Sequence, residues 1–301
     1  MWLELQIFGF RAMWSPFFFV FLLGIGIAYH LITGPYRKRF GGQEKPNRNQ
    51  KVSFYLGLLL IYIAKGSPVD LLSHIMLTAH MTQMALYLII TPILIIKGLP
   101  VWIWRNIIEA PFVGSFLRFA TKPIISLLLF NGLFSIYHIP VIFNFSKSAP
   151  VAHTTIHVIL LIAAFVMWLP LLAPIKEFDH LKPILKVGYI FVNSVLITPA
   201  CVLIIFSSVP LYAAYTQDGA WLTALSLCVP GDVLNSISTQ LNGPETFSPL
   251  SVMIDQQLGG IIMKVIQEIA YGSILASILF NWFKEDGNKI DPLPANSVKS
   301  R

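Results

Sequence analysis

Charge is scarce in this sequence. Only 12% of its 301 residues are Asp, Glu, Lys or Arg, about half the roughly 25% usual in soluble domains. With 55% hydrophobic residues and a mean hydropathy of +0.71, a soluble globular domain is excluded and a polytopic membrane protein is indicated. Cysteine is almost missing as well. Cys201 and Cys228 have no CxxC spacing, which excludes a zinc ribbon or a disulfide framework and leaves at most one disulfide. No Walker motif, helix-opening GxGxxG or nucleophile elbow occurs, and "HTTIH" places threonines where a zinc protease carries its general-base Glu. The net charge of +7 would suit nucleic acid in a soluble protein. In a membrane protein it reads as basic cytoplasmic loops, so no nucleic-acid partner is expected.

What the sequence does have is apolar runs. Spanning needs roughly 20 mostly apolar residues, and seven segments are read as spans: 16–35, 52–64, 71–96, 124–139, 152–173, 184–207 and 258–283. The second and fourth are short, and no small-residue cleavage site follows the first, which is read as retained. All but four of the 21 basic side chains fall in the "YRKRFGGQEKPNRNQK" loop, in two further alternate loops and in the tail. Arg11, Lys65, Lys147 and Lys264 are the four left over. The expected fold is therefore an all-α bundle of seven transmembrane helices, N-terminus outside and C-terminus cytoplasmic. The chain reads as a single integral membrane domain over 1–301, with a cytoplasmic tail at 284–301. "LPVWIWRNII" is expected to be an interfacial helix with Trp102 and Trp104 at headgroup level. "GAWLTALSLCVPGDV" is an outer segment that either dips into the membrane or stays above it.

Five of the seven histidines then gather at the outer surface: His74 and His80 opening the third span, His138 closing the fourth, His153 and His157 opening the fifth. His153 and His157 are four apart and share a helix face. On a continuous third helix, His74, His80, Met81 and Met84 fall within an arc of about 120° and descend by about 15 Å. Asp70, four residues before His74, is placed to orient that imidazole. A lone interfacial histidine is ordinarily just hydrogen-bonded, and methionine ordinarily fills gaps in a core, as Met76 does here. Five histidines on one side, with thioethers beside them, point instead to a metal or haem site. Imidazole with thioether suits copper, Cu(I) in particular, while imidazole alone also suits zinc, iron or haem. Asp255, in "DQQLGG", lies on the same side, and its two glycines permit close helix approach. Lys264 and Glu268, four apart inside the last span, are spaced to pair. Cys201 is assigned a packing role.

"SHIMLTAHMTQMALYLIITPILIIKGLP", "YHIP" with "HTTIHVILLIAAFVMWLPLL", and "DQQLGGIIM" together resemble the CtaG family of caa(3)-type cytochrome c oxidase assembly factors over about residues 50–283. The resemblance implies a multi-pass bacterial cell-membrane protein that is not an enzyme, with oxidase subunits as partners and copper as the metal handled. It carries the family's histidine pattern onto His74, His80, His138, His153 and His157, with Asp255 in the DQQLGG match. In one place the chain departs from the pattern. Where the family's first motif often reads HMxxH, this chain has His80-Met81-Thr82-Gln83-Met84, which keeps Cu(I) and weakens zinc or bis-histidine haem. The expected metal set is His74, His80, Met81, Met84, His138, His153, His157 and Asp255, and the expected function is copper insertion into the oxidase as a chaperone. The competing readings are a membrane haem or quinone redox protein with axial histidines, and a metal-free interaction scaffold. No residue pattern sets an oligomeric state.

Overall fold

The computed structural model describes residues 2–237 and 243–287. Most of the expected cytoplasmic tail, residues 288–301, lies outside the described residues. Among the described residues there is no strand, and the helices pack around one large apolar core. We label the helices that position the site α1 (Pro16–Thr33), α2 (Arg48–Gly66), α3 (Leu77–Gly98), α4 (Pro123–Tyr137), α5 (Pro140–Ser148), α6 (Pro150–Leu172), α7 (Pro183–Phe206) and α8 (Val252–Gly287).

Five helices are long and apolar enough to cross a membrane: Gln6–Thr33, which contains α1, then α3, α6, α7 and the Val252–Lys284 part of α8. A sixth is added if Val113–Ala120 and α4, bent by 91° at Thr121–Lys122, count as one span. The difference from the expected seven lies in α2. It is a 19-residue helix, but Arg48, Asn49, Gln50, Lys51 and Lys65 make its ends polar. Those ends are also what start the helix: Asn47 Oδ1 accepts from the Gln50 N–H at 2.8 Å and Gln50 Oε1 accepts from the Asn47 N–H at 2.9 Å, a reciprocal capping box.

The third span departs most from the expected helix. It does not run from residue 71. A short helix, Pro68–Leu72, ends in a turn at Ser73–Ile75, and α3 begins afresh at Leu77. Met76 holds the N-cap position with no side-chain acceptor. The acceptor comes from another helix. Asp255, in the first turn of α8, takes the Leu77 N–H at 2.6 Å on Oδ2 and the Thr78 N–H at 3.2 Å on Oδ1, while the Thr78 hydroxyl donates to the Asp255 carbonyl at 2.8 Å. Helix N-termini leave their first N–H groups unpaired and favour a carboxylate. Gly259, one turn on, lets α8 come this close: a Cβ there would lie 3.1 Å from the Leu77 carbonyl carbon and oxygen and the Thr78 nitrogen. Lower down, α3 widens into a π-helical turn over Ala85–Ile90. Pro92 brings no N–H and its ring crowds the preceding turn; the Thr91 hydroxyl donates five residues back to the Leu86 carbonyl at 2.9 Å.

The two uncertain apolar pieces form helices of eight and nine residues, too short to cross a bilayer. Trp221 and Leu225 of Asp218–Leu225 join Leu5, Phe8, Met76 and Phe247 in a second core that covers the histidine-bearing end of the bundle. Val101–Glu109 is a nine-residue helix. Its Trp104 is buried edge-on against Phe178, where the core offers it both a ring partner and the Ile96 carbonyl. Cys201 is buried in the main core and Cys228 is part-buried, and both are free, so the single disulfide does not form.

Removing the borrowed cap should weaken the bundle. Asp255→Ala is expected to cost about 1–2 kcal/mol and Asp255→Asn distinctly less, since Asn also accepts at an N-cap. Thermal unfolding of the detergent-purified variants checks this, and equal melting of Ala, Asn and wild type would contradict it.

Candidate metal site

Three of the five expected histidines, His80, His138 and His157, gather around a residue the sequence reading passed over, Tyr137. His80 lies in the first turns of α3, Tyr137 and His138 at the end of α4, and His153 and His157 in the first two turns of α6. The His80 ring centre is 6.2 Å from that of His138 and 6.3 Å from that of His157. Tyr137 stands among them, its ring centre 6.0 Å from His80, 4.9 Å from His138 and 5.6 Å from His157. Its hydroxyl is 3.2 Å from His157 Nε2 and 3.5 Å from His80 Nε2. As expected for an i, i+4 pair, His153 and His157 lie side by side, with ring centres 4.2 Å apart.

These rings are buried yet incompletely hydrogen-bonded. His138 Nδ1 is 2.8 Å from the Phe134 carbonyl, which can only accept, so the proton sits on Nδ1 and Nε2 keeps its lone pair. That Nε2 has no partner, and neither do His80 Nδ1 and His157 Nδ1. Buried polar atoms without partners are uncommon and call for an explanation. Neutral imidazole is the form that ligates metals. As they stand, the rings are not closed on a point. Among the described residues, no three His, Cys, Asp or Glu side chains form a group that could hold an ion.

The other expected residues have surroundings of their own. His74 sits in the turn before α3, not on it, so it does not share the helix face of His80. Its ring is 5.4 Å from that of His153, and its Nδ1 is 3.3 Å from the ammonium of Lys147. Asp70 does not orient His74, because the helix that would set the four-residue spacing stops at Leu72. Its Oδ1 instead accepts from Gln83 Nε2 at 2.6 Å and lies 3.5 Å from Lys65 Nζ. The carboxylate of Asp255 is engaged in capping α3. Met81 and Met84 are fully buried in the main apolar core, and Met76 packs in the second core.

Lys147 is the other group that sequence reasoning missed, although it was one of only four basic residues outside the cytoplasmic pattern. It is 2% exposed. Its ammonium donates to the Ser73 carbonyl at 3.1 Å and lies over the rings of Phe143 and Tyr215. It thereby satisfies the carboxyl end of Pro68–Leu72 and fixes the turn that carries His74. A cleft of about 440 Å³ opens beside this group. Phe18, Leu22, Ile61 and Leu161 form its apolar walls, and Lys65, Asp70, His74, His153 and His157 form its polar end.

Burial pulls the Lys147 ammonium from 10.5 down to about 7, with repulsion from Lys65 adding and attraction to Asp70 and Cys228 opposing. In the unfolded chain the amine stays protonated up to about 10.5. Between those values the unfolded state binds more protons, so stability rises with pH from about 7 upward and is flat below. Wild type is thus expected to gain on Lys147→Met between pH 7 and 9, by at most about 1.4 kcal/mol per pH unit. Parallel pH profiles of thermal unfolding for the two proteins would refute this.

A protein-family model described as cytochrome c oxidase caa3 assembly factor matches residues 27–285. The match begins earlier than the segment from about residue 50 on which the sequence resemblance rests. No curated protein and no solved structure matches the chain.

Proposed function

The chain belongs to the caa3 cytochrome c oxidase assembly factors, and from that premise we propose that it holds copper at its histidine-bearing end and passes it to the oxidase. Membership carries a role in assembly and association with the oxidase. Copper is the cargo in this reading, and no catalytic step is assigned. The observation that supports it is the trio of buried, unpartnered ring nitrogens on His80, His138 and His157. Each is a lone-pair donor, or becomes one on a change of tautomer. A metal–nitrogen bond is about 2.0–2.1 Å, so binding requires the rings of His138 and His157, now 6.2 and 6.3 Å from that of His80, to turn their free nitrogens toward one ion. Met81 and Met84, beside and one turn beyond His80, are the thioethers that would favour Cu(I) over zinc. His153 and His74 line the cleft and mark the side of entry.

Seven crossings complete the reading, with α2 taken as a span and Val113–Ala120 with α4 taken as one. This places the N-terminus outside, the C-terminus in the cytoplasm and the histidines at the outer leaflet of a bacterial cell membrane. The distribution of Lys and Arg supports that orientation. Because no three His, Cys, Asp or Glu among the described residues form a metal-holding group, a metal-free scaffold is the competing reading. Haem fits less well: the rings of Tyr137 and Phe143 lie 6.0 and 5.1 Å from that of His80 and fill the space a flat macrocycle needs.

Anaerobic loading of the purified protein with Cu(I), followed by metal analysis and an absorption spectrum, tests this. Near-stoichiometric copper in wild type and its loss in His138→Ala and His157→Ala are expected, with no Soret band. Copper retained in both variants sinks the site, and none in wild type leaves the scaffold.

A further inference from the structure

An ion pair faces outward halfway along α7 and α8. Lys264 Nζ is 2.7 Å from Glu268 Oε1, and the two side chains are 28% and 52% exposed. Ser194, which contacts both, stands near the middle of the 24-residue α7, roughly 17 Å from each end. That is close to the centre of a bilayer core about 30 Å thick. Val265 and Ile269 flank the pair on α8 and Phe191 lies nearby on α7, all largely exposed. Such a face meets lipid tails or another apolar surface.

The pair is unequally satisfied. Lys264 donates to the Ser194 carbonyl and hydroxyl, Thr198 Oγ1 and Gln267 Oε1 at 3.1–3.3 Å besides Glu268. On Glu268, every donor arrives at one oxygen: Lys264, the Ser194 hydroxyl at 2.6 Å and Gln267 Nε2 at 3.3 Å all reach Oε1. Oε2 receives no donor from the described residues. A bare carboxylate oxygen in hydrocarbon is costly, and ionisable groups at that depth normally face protein or water.

We propose that this face of α7 and α8 docks a transmembrane helix of the oxidase under assembly, which brings a donor side chain at mid-depth to Glu268 Oε2. The proposal rests on family membership and not on copper. A second copy of the chain is a poor occupant, since Lys264 and Gln267 already direct their donors inward and two copies would set carboxylate against carboxylate. Lipid offers its donors only at headgroup depth.

The test uses the full chain in membranes that also produce a caa3-type oxidase with differently tagged subunits. A photo-crosslinking residue replaces Ile269. An adduct with a tagged oxidase subunit is expected, with its yield falling roughly threefold to tenfold in Glu268→Leu, the scale of an interhelical hydrogen bond. Glu268→Gln, which keeps an oxygen in place, should retain most of the yield and serves as the folding control. Adducts only with lipid or with a second copy, or a yield indifferent to Glu268→Leu, would overturn the proposal. Copper content of the same preparations separates the two readings: adduct without copper supports docking and sinks only the copper site, while copper without adduct sinks only docking.

Discussion

The arrangement at the histidine-bearing end depends on one carboxylate. Asp255 gives α3 the N-terminal acceptors that its own sequence fails to provide, and in doing so it pins the start of α3 to the first turn of α8. A helix end left bare inside a membrane protein would hold unpaired N–H groups away from water. With the cap in place α3 can begin at Leu77, one turn before His80. The register of His80, and with it the approach to His138 and His157, follows from where that helix starts. Gly259 is part of the same constraint, since a Cβ there would lie 3.1 Å from the Leu77–Thr78 backbone, tighter than ordinary contact.

Beside this clamp lies a second, cationic one. Lys147 reaches across to the Ser73 carbonyl, and the hydroxyl of Tyr215 donates to the same oxygen at 2.7 Å. The break between Pro68–Leu72 and α3 is therefore tied from both sides, by an anion at the new helix start and a cation at the old helix end. Both signs agree with the helix dipoles they meet. The result is a rim tied on both sides, with buried imidazoles beside it, three of which have a ring nitrogen short of a hydrogen-bond partner. Such an arrangement is destabilising for the empty protein and suited to receiving something that supplies the missing partners.

The outward face of α7 and α8 poses the same question at mid-depth. On α7 and α8 a carboxylate oxygen is short of a donor, just as the imidazoles are short of partners at the rim. On the proposed reading, one group of atoms would take an electrophilic ion and the other a hydrogen-bond donor on a helix. An assembly factor with a cargo site at one surface and a lateral docking face would leave both kinds of atom unsatisfied while alone.

Much of this was legible in the sequence, and the reason is periodicity. The all-helical class, five of the apolar spans, the i, i+4 pairing of His153 with His157 and of Lys264 with Glu268, and the close approach at the DQQLGG glycines all follow from local spacing along single helices. So does the family, through motifs that sit on those helices. What spacing could not supply is anything decided between helices. The break at Ser73–Ile75 removed His74 and Asp70 from the face they were assigned to, because whether a helix continues depends on what caps it, and that cap comes from a residue far along the chain. Asp255 shows the same limit: a carboxylate near histidines reads alike whether it faces a metal or a row of amide N–H groups, and its capping of α3 appears only in the fold. Tyr137 and Lys147 carried almost no local signal. Their importance arises from burial and from partners on other elements, which only the packed structure brings together.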